Sequence, residues 1–162
     1  MTEVTQLIAV ETAEQVSESP FYIPMTGPAT RLRRSLKHDD TFIVLDSHGD
    51  IGASAGGPDG LFNGDTRYLA RLEMVLNDVQ PLLLGSNLRD DNSALTVDLT
   101  NSDVYRNGRL VLQKDTLHIM RSIFLWRGTA YQRIALQNHG ERPASFDLTL
   151  LFDNDFADLF EV

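Results

Sequence analysis

Cysteine is absent from the 162 residues, which excludes disulfides and thiolate chemistry and is compatible with a reducing compartment. Basic residues are also scarce, with 14 Lys and Arg against 23 Asp and Glu, so the formal net charge is −9. Nucleic acids and anionic membranes attract proteins through basic surfaces. The charge balance therefore argues against both as partners.

Long apolar runs are missing as well. No stretch approaches the roughly 18 apolar residues that a membrane-spanning helix needs. The N-terminus lacks the basic region of a signal peptide, and Leu7–Val10 is too short to form its apolar segment. We expect a soluble, cytoplasmic protein.

The chain is long enough for one domain with a substantial core. Residues 1–20 are polar, and residues 1–30 contain no Lys or Arg. Residues 31–37 (RLRRSLK) form a basic run, interpreted as a solvated lead-in rather than as a binding patch. We therefore expect a flexible N-terminal segment over residues 1–37, disordered or loosely attached over residues 1–20, and a folded domain over residues 38–162.

Apolar residues alternate with polar ones in the folded part, at the period of a β-strand. Leu95, Val97 and Leu99 are expected to face inward in one such strand. The longest candidate, residues 116–127, is apolar on both faces, which predicts a central strand covered on both sides. Short strands with turn sequences between them, and no long amphipathic helix, indicate an antiparallel all-β sandwich or barrel. The glycine-rich residues 52–60 are expected to form a loop.

The stretch from residue 60 to residue 78 is the most informative. It places an Asp65-Thr66-Arg67 triplet before a strand predicted over residues 68–76, with Ala70, Leu72, Met74 and Leu76 on one face. Asn77-Asp78 then predicts a turn with left-handed backbone. Asp65 and Arg67 could form an ion pair or contact a polar ligand, because loops on a rigid scaffold often carry binding residues.

The acidic residues near the C-terminus allow several interpretations. Asp153 and Asp155 would lie about 7 Å apart on one strand face, within the separation of about 5–9.5 Å used by glycosidase carboxylates. Asp153, Asp155 and Asp158 could instead form a solvated edge, an interdomain contact or a metal site. Because apolar residues continue regularly up to Val162, we expect the chain to be a piece of a longer protein.

Other candidate sites are less defined. The four histidines have no metal-ligand spacing, and we expect no metal and no cofactor. Trp126 and Tyr131 flank a predicted tight turn, where their rings could stack on a sugar or simply pack within the sheet.

Four motifs taken in order resemble the N-terminal domain of bacterial glycogen-debranching-type enzymes, the amylo-α-1,6-glucosidase-like family. The motifs are DTFIVLD (40–46), GLF with DTRYL (60–62 and 65–69), NSALTVDLTN (92–101) and DNDFADLFEV (153–162). The resemblance implies a β-sandwich that precedes an (α/α)6-barrel catalytic domain, which holds the catalytic carboxylates. It therefore implies no catalytic residue in this chain.

These inferences give a set of expectations about function. The expected role is support of the catalytic domain of an enzyme acting on α-glucan or oligosaccharide, with self-association through the exposed interdomain face. The alternative is an autonomous carbohydrate-binding module. We expect Asp65, Arg67 and Trp126 to contact substrate, and Asp153, Asp155 and Asp158 to contact the neighbouring domain. A self-contained retaining hydrolase using Asp153 and Asp155 is the third possibility.

Overall fold

The computed structural model describes residues 32–52 and 57–162 of the chain. The described residues form twelve strands and one short 3-10 helix, Leu159–Glu161. The strands are β1 (Arg34–His38), β2 (Thr41–Leu45), β3 (Gly60–Asn63), β4 (Thr66–Leu69), β5 (Arg71–Leu76), β6 (Leu82–Leu88), β7 (Ala94–Thr100), β8 (Val104–Arg106), β9 (Arg109–Leu112), β10 (Leu117–Trp126), β11 (Thr129–Asn138) and β12 (Leu148–Asp153).

All strand pairs are antiparallel. Two sheets have four strands, in the orders β1-β2-β3-β4 and β11-β10-β7-β6, and two smaller sheets pair β12 with β5 and β8 with β9. One apolar core joins residues from both four-stranded sheets and from the β12–β5 pair. The predicted all-β sandwich is confirmed, with the two small sheets as an addition.

The first strand begins before the expected start of the domain. β1 starts at Arg34, so most of the basic run expected to be a solvated lead-in forms a strand that pairs with β2. Leu36 is fully buried in the core, which explains why this segment is held in the sheet. Residues 1–31 of the expected lead-in lie outside the described residues.

Strands β7 and β10 follow their predicted alternation on the core side. Leu95, Val97 and Leu99 of β7 are each at most 1% exposed. β10 lies between β7 and β11, which confirms that it is a central strand. The prediction that both of its faces are covered is wrong within this chain, because Met120, Phe124 and Trp126 on its outer face are 36%, 39% and 51% exposed.

The strand predicted over residues 68–76 is divided into β4 and β5. The backbone leaves the β3–β4 pair at Ala70 and joins β12 in another sheet. Ala70 donates a backbone hydrogen bond to the carbonyl of Asp153 at 2.9 Å. Leu72, Met74 and Leu76 are buried as predicted, because the alternation of β5 is intact after the change of sheet.

Three tight turns have left-handed backbone, as predicted for Asn77-Asp78. Both central residues have positive φ at Asn77-Asp78 (48° and 63°), at Asn107-Gly108 (50° and 75°) and at Arg127-Gly128 (48° and 72°). Turns of this kind match the twist of antiparallel strands. In the predicted loop 52–60, residues 53–56 lie outside the described residues and Gly60 begins β3.

Replacing Gly108 by alanine should lower the free energy of unfolding by about 1–2 kcal/mol, because a Cβ is disfavoured in left-handed backbone. No neighbouring atom lies within 4 Å of the position that this Cβ would occupy, so the effect isolates backbone strain. Gly85 is the matched control, since its Cβ would also meet open space but its φ is not in the positive range. Urea unfolding of both variants checks the prediction, and equal stability of the two would contradict it.

Within the part of the chain that the structure describes, no helix has the length and apolar character needed to cross a membrane.

Candidate functional site

The Asp65-Thr66-Arg67 triplet meets the acidic C-terminal segment, although 88 residues separate Arg67 from Asp155. Arg67 Nε donates to Asp155 Oδ1 at 3.0 Å, and Nη2 donates to Asp155 Oδ2 in the same fork-shaped contact. Arg67 Nη1 donates to the carbonyls of Gly57 and Asp59 at 3.0 and 3.3 Å. Arg67 is only 7% exposed, and its guanidinium forms its hydrogen bonds with acceptors within the protein.

Backbone hydrogen bonds extend this contact along residues 154–161, which we call the strap. Arg67 N donates to Ala157 O at 2.9 Å, and Leu159 N donates to Asp65 O at 2.7 Å. Thr66 and Asp158 form an antiparallel bridge between these two bonds. The strap therefore lies against the free edge of β4 as a short additional strand, which blunts that edge.

Each of the three C-terminal carboxylates accepts a local hydrogen bond. Asp153 accepts from Asn154 N, Asp155 accepts from Ala157 N as well as from Arg67, and Asp158 accepts from Phe160 N. The last contact caps the 3-10 helix, whose Glu161 side chain accepts from Asp158 N in return. β12 ends at Asp153, so the strand spacing assumed for Asp153 and Asp155 does not apply.

Trp126 lies on the outer face of β10. Its ring contacts the edge of His38 at a centroid distance of 5.1 Å, and the Arg127 guanidinium lies 5.6 Å from its centre. Phe124 stacks on Tyr131 across the β10–β11 pair at 5.0 Å. No contact among the described residues joins Trp126 to Asp65 or Arg67, so the residues expected to bind substrate do not form one cluster.

Comparison with protein families gives a match to the N-terminal domain of some glycogen debranching enzymes, covering residues 36–162. The chain belongs to this family. The matched region begins within β1 and includes both the triplet and the strap. The family inferred from the four sequence motifs is thereby confirmed. Searches of curated proteins and of solved structures returned no match.

This debranching-enzyme N-terminal domain also holds a buried ion pair that the sequence reasoning missed. Arg121 is fully buried on the core face of β10 and contacts Asp50, which is 3% exposed, with Nη1 2.5 Å from Asp50 Oδ1. Arg121 also donates to His48 O at 2.9 Å and to Gln132 Oε1 at 3.0 Å. The sequence did contain a sign of this pair: Arg121 stands between Ile119 and Ile123 at a position of β10 that faces the core, and a buried cation requires a buried partner.

The Asp50 carboxylate has two further donors. Met74 N donates to Oδ1 at 3.2 Å and Gln80 Nε2 donates to Oδ2 at 3.1 Å. Burial raises the pKa of Asp50, and the adjacent Arg121 opposes that rise. Because the carboxylate is enclosed and its oxygens accept from three groups, the pair fixes the 46–50 loop against the core rather than presenting a reactive group.

The domain's described residues contain no group of three or more His, Cys, Asp and Glu side chains placed to hold a metal ion.

The Arg67 contact should make stability depend on pH. Hydrogen bonds from Arg67 lower the pKa of Asp155 below its ordinary value. A carboxylate whose pKa is lower in the folded state adds stability above its unfolded pKa of about 3.9, and that stability is lost as the pH falls through the folded pKa. Asp155→Asn should therefore lower the melting temperature near pH 6, and the difference from the unsubstituted chain should narrow below about pH 4. A pH-independent difference in thermal scans would contradict this.

Proposed function

We propose that this domain is a non-catalytic support for the catalytic domain of an α-glucan-active debranching-type enzyme. The observation that carries the proposal is the uncovered apolar face of its central strand. Met120, Phe124 and Trp126 of β10 and Tyr131 of β11 project from this outer face and are 36–51% exposed. Large exposed apolar surfaces usually mark interaction sites.

A catalytic role for the domain's own carboxylates has little support. Glycosidases need one carboxylic acid that can donate a proton and a second carboxylate that is free to act as nucleophile or base. Asp155 accepts two hydrogen bonds from Arg67, and its lowered pKa makes it a poor proton donor at neutral pH. Asp158 is held in the cap of the 3-10 helix. Both groups stabilise the strap.

The catalytic domain of the same enzyme is the proposed partner of the outer face. Aromatic and methionine side chains dominate the centres of protein interfaces, whereas charged residues are depleted there. The end of the outer face next to the β10–β11 turn fits this composition, since Phe124 and Tyr131 are stacked there, whereas the His118–Asp98 pair lies towards the other end of the strand. A second copy of the chain competes for the same face, so self-association is expected only when the catalytic domain is missing.

The purified chain should release no glucose from α-1,6-branched dextrin. A separately produced catalytic domain of a glycogen debranching enzyme is the positive control in the same assay. If the chain does release glucose, Asp155→Asn tests whether its own carboxylates act. Release by the chain that Asp155→Asn abolishes would overturn the proposal in favour of a self-contained retaining hydrolase.

An autonomous carbohydrate-binding module is the second candidate function, and half-exposed aromatic rings such as Trp126 favour it. The two functions differ in what covers the outer face of β10. A supporting domain buries Phe124 and Tyr131 against the catalytic domain, whereas an autonomous module binds glycogen and has no affinity for the catalytic domain. Retardation in a glycogen gel without any affinity for the catalytic domain would therefore favour the module.

A further inference from the structure

A groove lies where the β10–β11 turn faces the β1-β2-β3-β4 sheet. Its volume is about 420 Å³, within the range of about 300–1,000 Å³ typical of small-molecule sites. The residues that line it come from four strands and one turn: Thr41, Leu61, Asn63, Tyr68, Gly128, Thr129 and Ala130. Strand pairing across β2–β3 and the tight turn at Gly128 fix much of this wall in place.

The lining carries no charged side chain, in a protein whose net charge is −9. Two other grooves differ in this respect, since one contains Arg89, Asp90 and Asp91 and the other contains Glu141 and Arg142. A binding site for an ion or a phosphorylated ligand requires an opposite charge or a cluster of backbone donors. The groove at Tyr68 is therefore suited to a neutral ligand.

Polar groups without a protein partner line the groove. Thr41 Oγ1 donates to Asn63 Oδ1 at 3.3 Å, which fixes the Asn63 amide. Within the described residues, Asn63 Nδ2, Thr129 Oγ1 and the Tyr68 hydroxyl form no hydrogen bond to another protein group. The groove thus offers one amide donor and two hydroxyls that can both donate and accept.

Tyr68 adds an aromatic ring to the polar groups that line the groove. The Tyr68 side chain is 49% exposed, and Phe156 contacts it edge-on at 6.0 Å, which holds the ring in place. Trp126, one of the three residues expected from sequence to contact substrate, lies directly across the strand pair from Thr129. Rings present a flat apolar surface and hydroxyls lie beside them, which matches the alternating C–H faces and hydroxyl edges of a pyranose.

We propose that this groove binds a short segment of a neutral oligosaccharide, with Tyr68 under a sugar ring and with Asn63 and Thr129 hydrogen-bonded to its hydroxyls. The choice of α-linked glucose over other neutral sugars rests on the function proposed above. Asn63 and Tyr68 of the groove lie on β3 and β4, whereas Phe124 and Tyr131 lie on β10 and β11, although Thr129 shares a face of β11 with Tyr131. Through Tyr68, sugar binding and docking of the catalytic domain can therefore be tested independently.

The test is an NMR titration of the ¹⁵N-labelled chain with maltoheptaose, with cellohexaose as a second neutral sugar. Maltoheptaose should shift the backbone amides of Gly128 and Thr129 and the side-chain amide of Asn63. Tyr68→Ala should weaken binding about threefold to tenfold, as expected for loss of aromatic stacking. Thr129→Val, which keeps the side-chain shape, should also weaken it, whereas Tyr105→Ala on β8 should not.

Absence of shifts with either sugar would overturn the groove as a site. Shifts elsewhere, or shifts that survive both Tyr68→Ala and Thr129→Val, would also overturn it. Equal binding of cellohexaose would keep the groove as a neutral-sugar site and overturn the choice of α-linked glucose. Thermal unfolding of each variant shows whether it remains folded. Tyr68 lies on β4, away from Phe124 and Tyr131, so loss of sugar binding in Tyr68→Ala with docking intact distinguishes failure of the groove from failure of the proposed function.

Discussion

Replacing Arg121 by methionine should lower the free energy of unfolding by about 3–5 kcal/mol, the largest single effect that we predict. The loss is large because the substitution leaves the Asp50 carboxylate buried without its cation. Asp50 is 3% exposed, and without Arg121 it would be a charge in an apolar interior with only Gln80 and a backbone amide as donors. Removing one member of a buried ion pair is costly for this reason.

Chemical denaturation of Arg121→Met measures this loss, and Arg133→Met is the matched control. Arg133 lies on the neighbouring strand β11 and its side chain is exposed, so its replacement should change stability by no more than about 0.5 kcal/mol.

The double variant Arg121→Met with Asp50→Asn should recover part of the loss, because it removes both charges while the amide oxygen of the new side chain can still accept from Met74 N. A loss below about 1 kcal/mol for Arg121→Met, or no recovery in the double variant, would contradict the role given to this pair.

Arg67→Met should lower the free energy of unfolding by about 1.5–3 kcal/mol, the range for hydrogen bonds to charged groups. The predicted loss is smaller than that for Arg121 because the Asp155 side chain is 38% exposed, so water can solvate it once Arg67 is gone. The carbonyls of Gly57 and Asp59 would lose their donor at the same time. The strap should then separate from β4, with faster hydrogen exchange at Leu159 N.

Arg67→Lys distinguishes geometry from charge. A lysine keeps the charge but cannot form the fork-shaped contact with Asp155, so it should restore only part of the stability. Arg71→Met is the control, because Arg71 pairs with Glu73 on the surface and is 46% exposed, and solvent-exposed ion pairs contribute little to stability. Equal losses for Arg67→Met and Arg71→Met would contradict a special role for the triplet.

Local patterns in the sequence predicted the strands and the turns well. The alternation of Leu95, Val97 and Leu99 needs only neighbouring residues to be recognised, and so does the positive φ at Asn77-Asp78. The division of residues 66–76 into two strands could not be predicted in this way. It depends on the pairing of β5 with β12, more than 70 residues away in sequence.

The candidate site was predicted in parts but not as a whole. The sequence indicated the triplet and the acidic segment as separate motifs, and the contact between Arg67 and Asp155 required knowing that the strap returns to β4. The prediction of a covered outer face on β10 was wrong within this chain, because apolar residues on a second face do not show whether the covering surface belongs to the same domain. That difference is what motivates the proposed docking function.

The most direct test of the account is docking to a catalytic domain. The 162-residue chain and the separately produced catalytic domain of a glycogen debranching enzyme are mixed and studied by titration calorimetry. We predict a complex that Phe124→Ser with Tyr131→Ser abolishes, while Tyr105→Ser, exposed on β8, leaves it intact. Absence of a complex, or equal binding by all variants, would contradict the proposal that this domain supports a debranching-type catalytic domain through the outer face of β10.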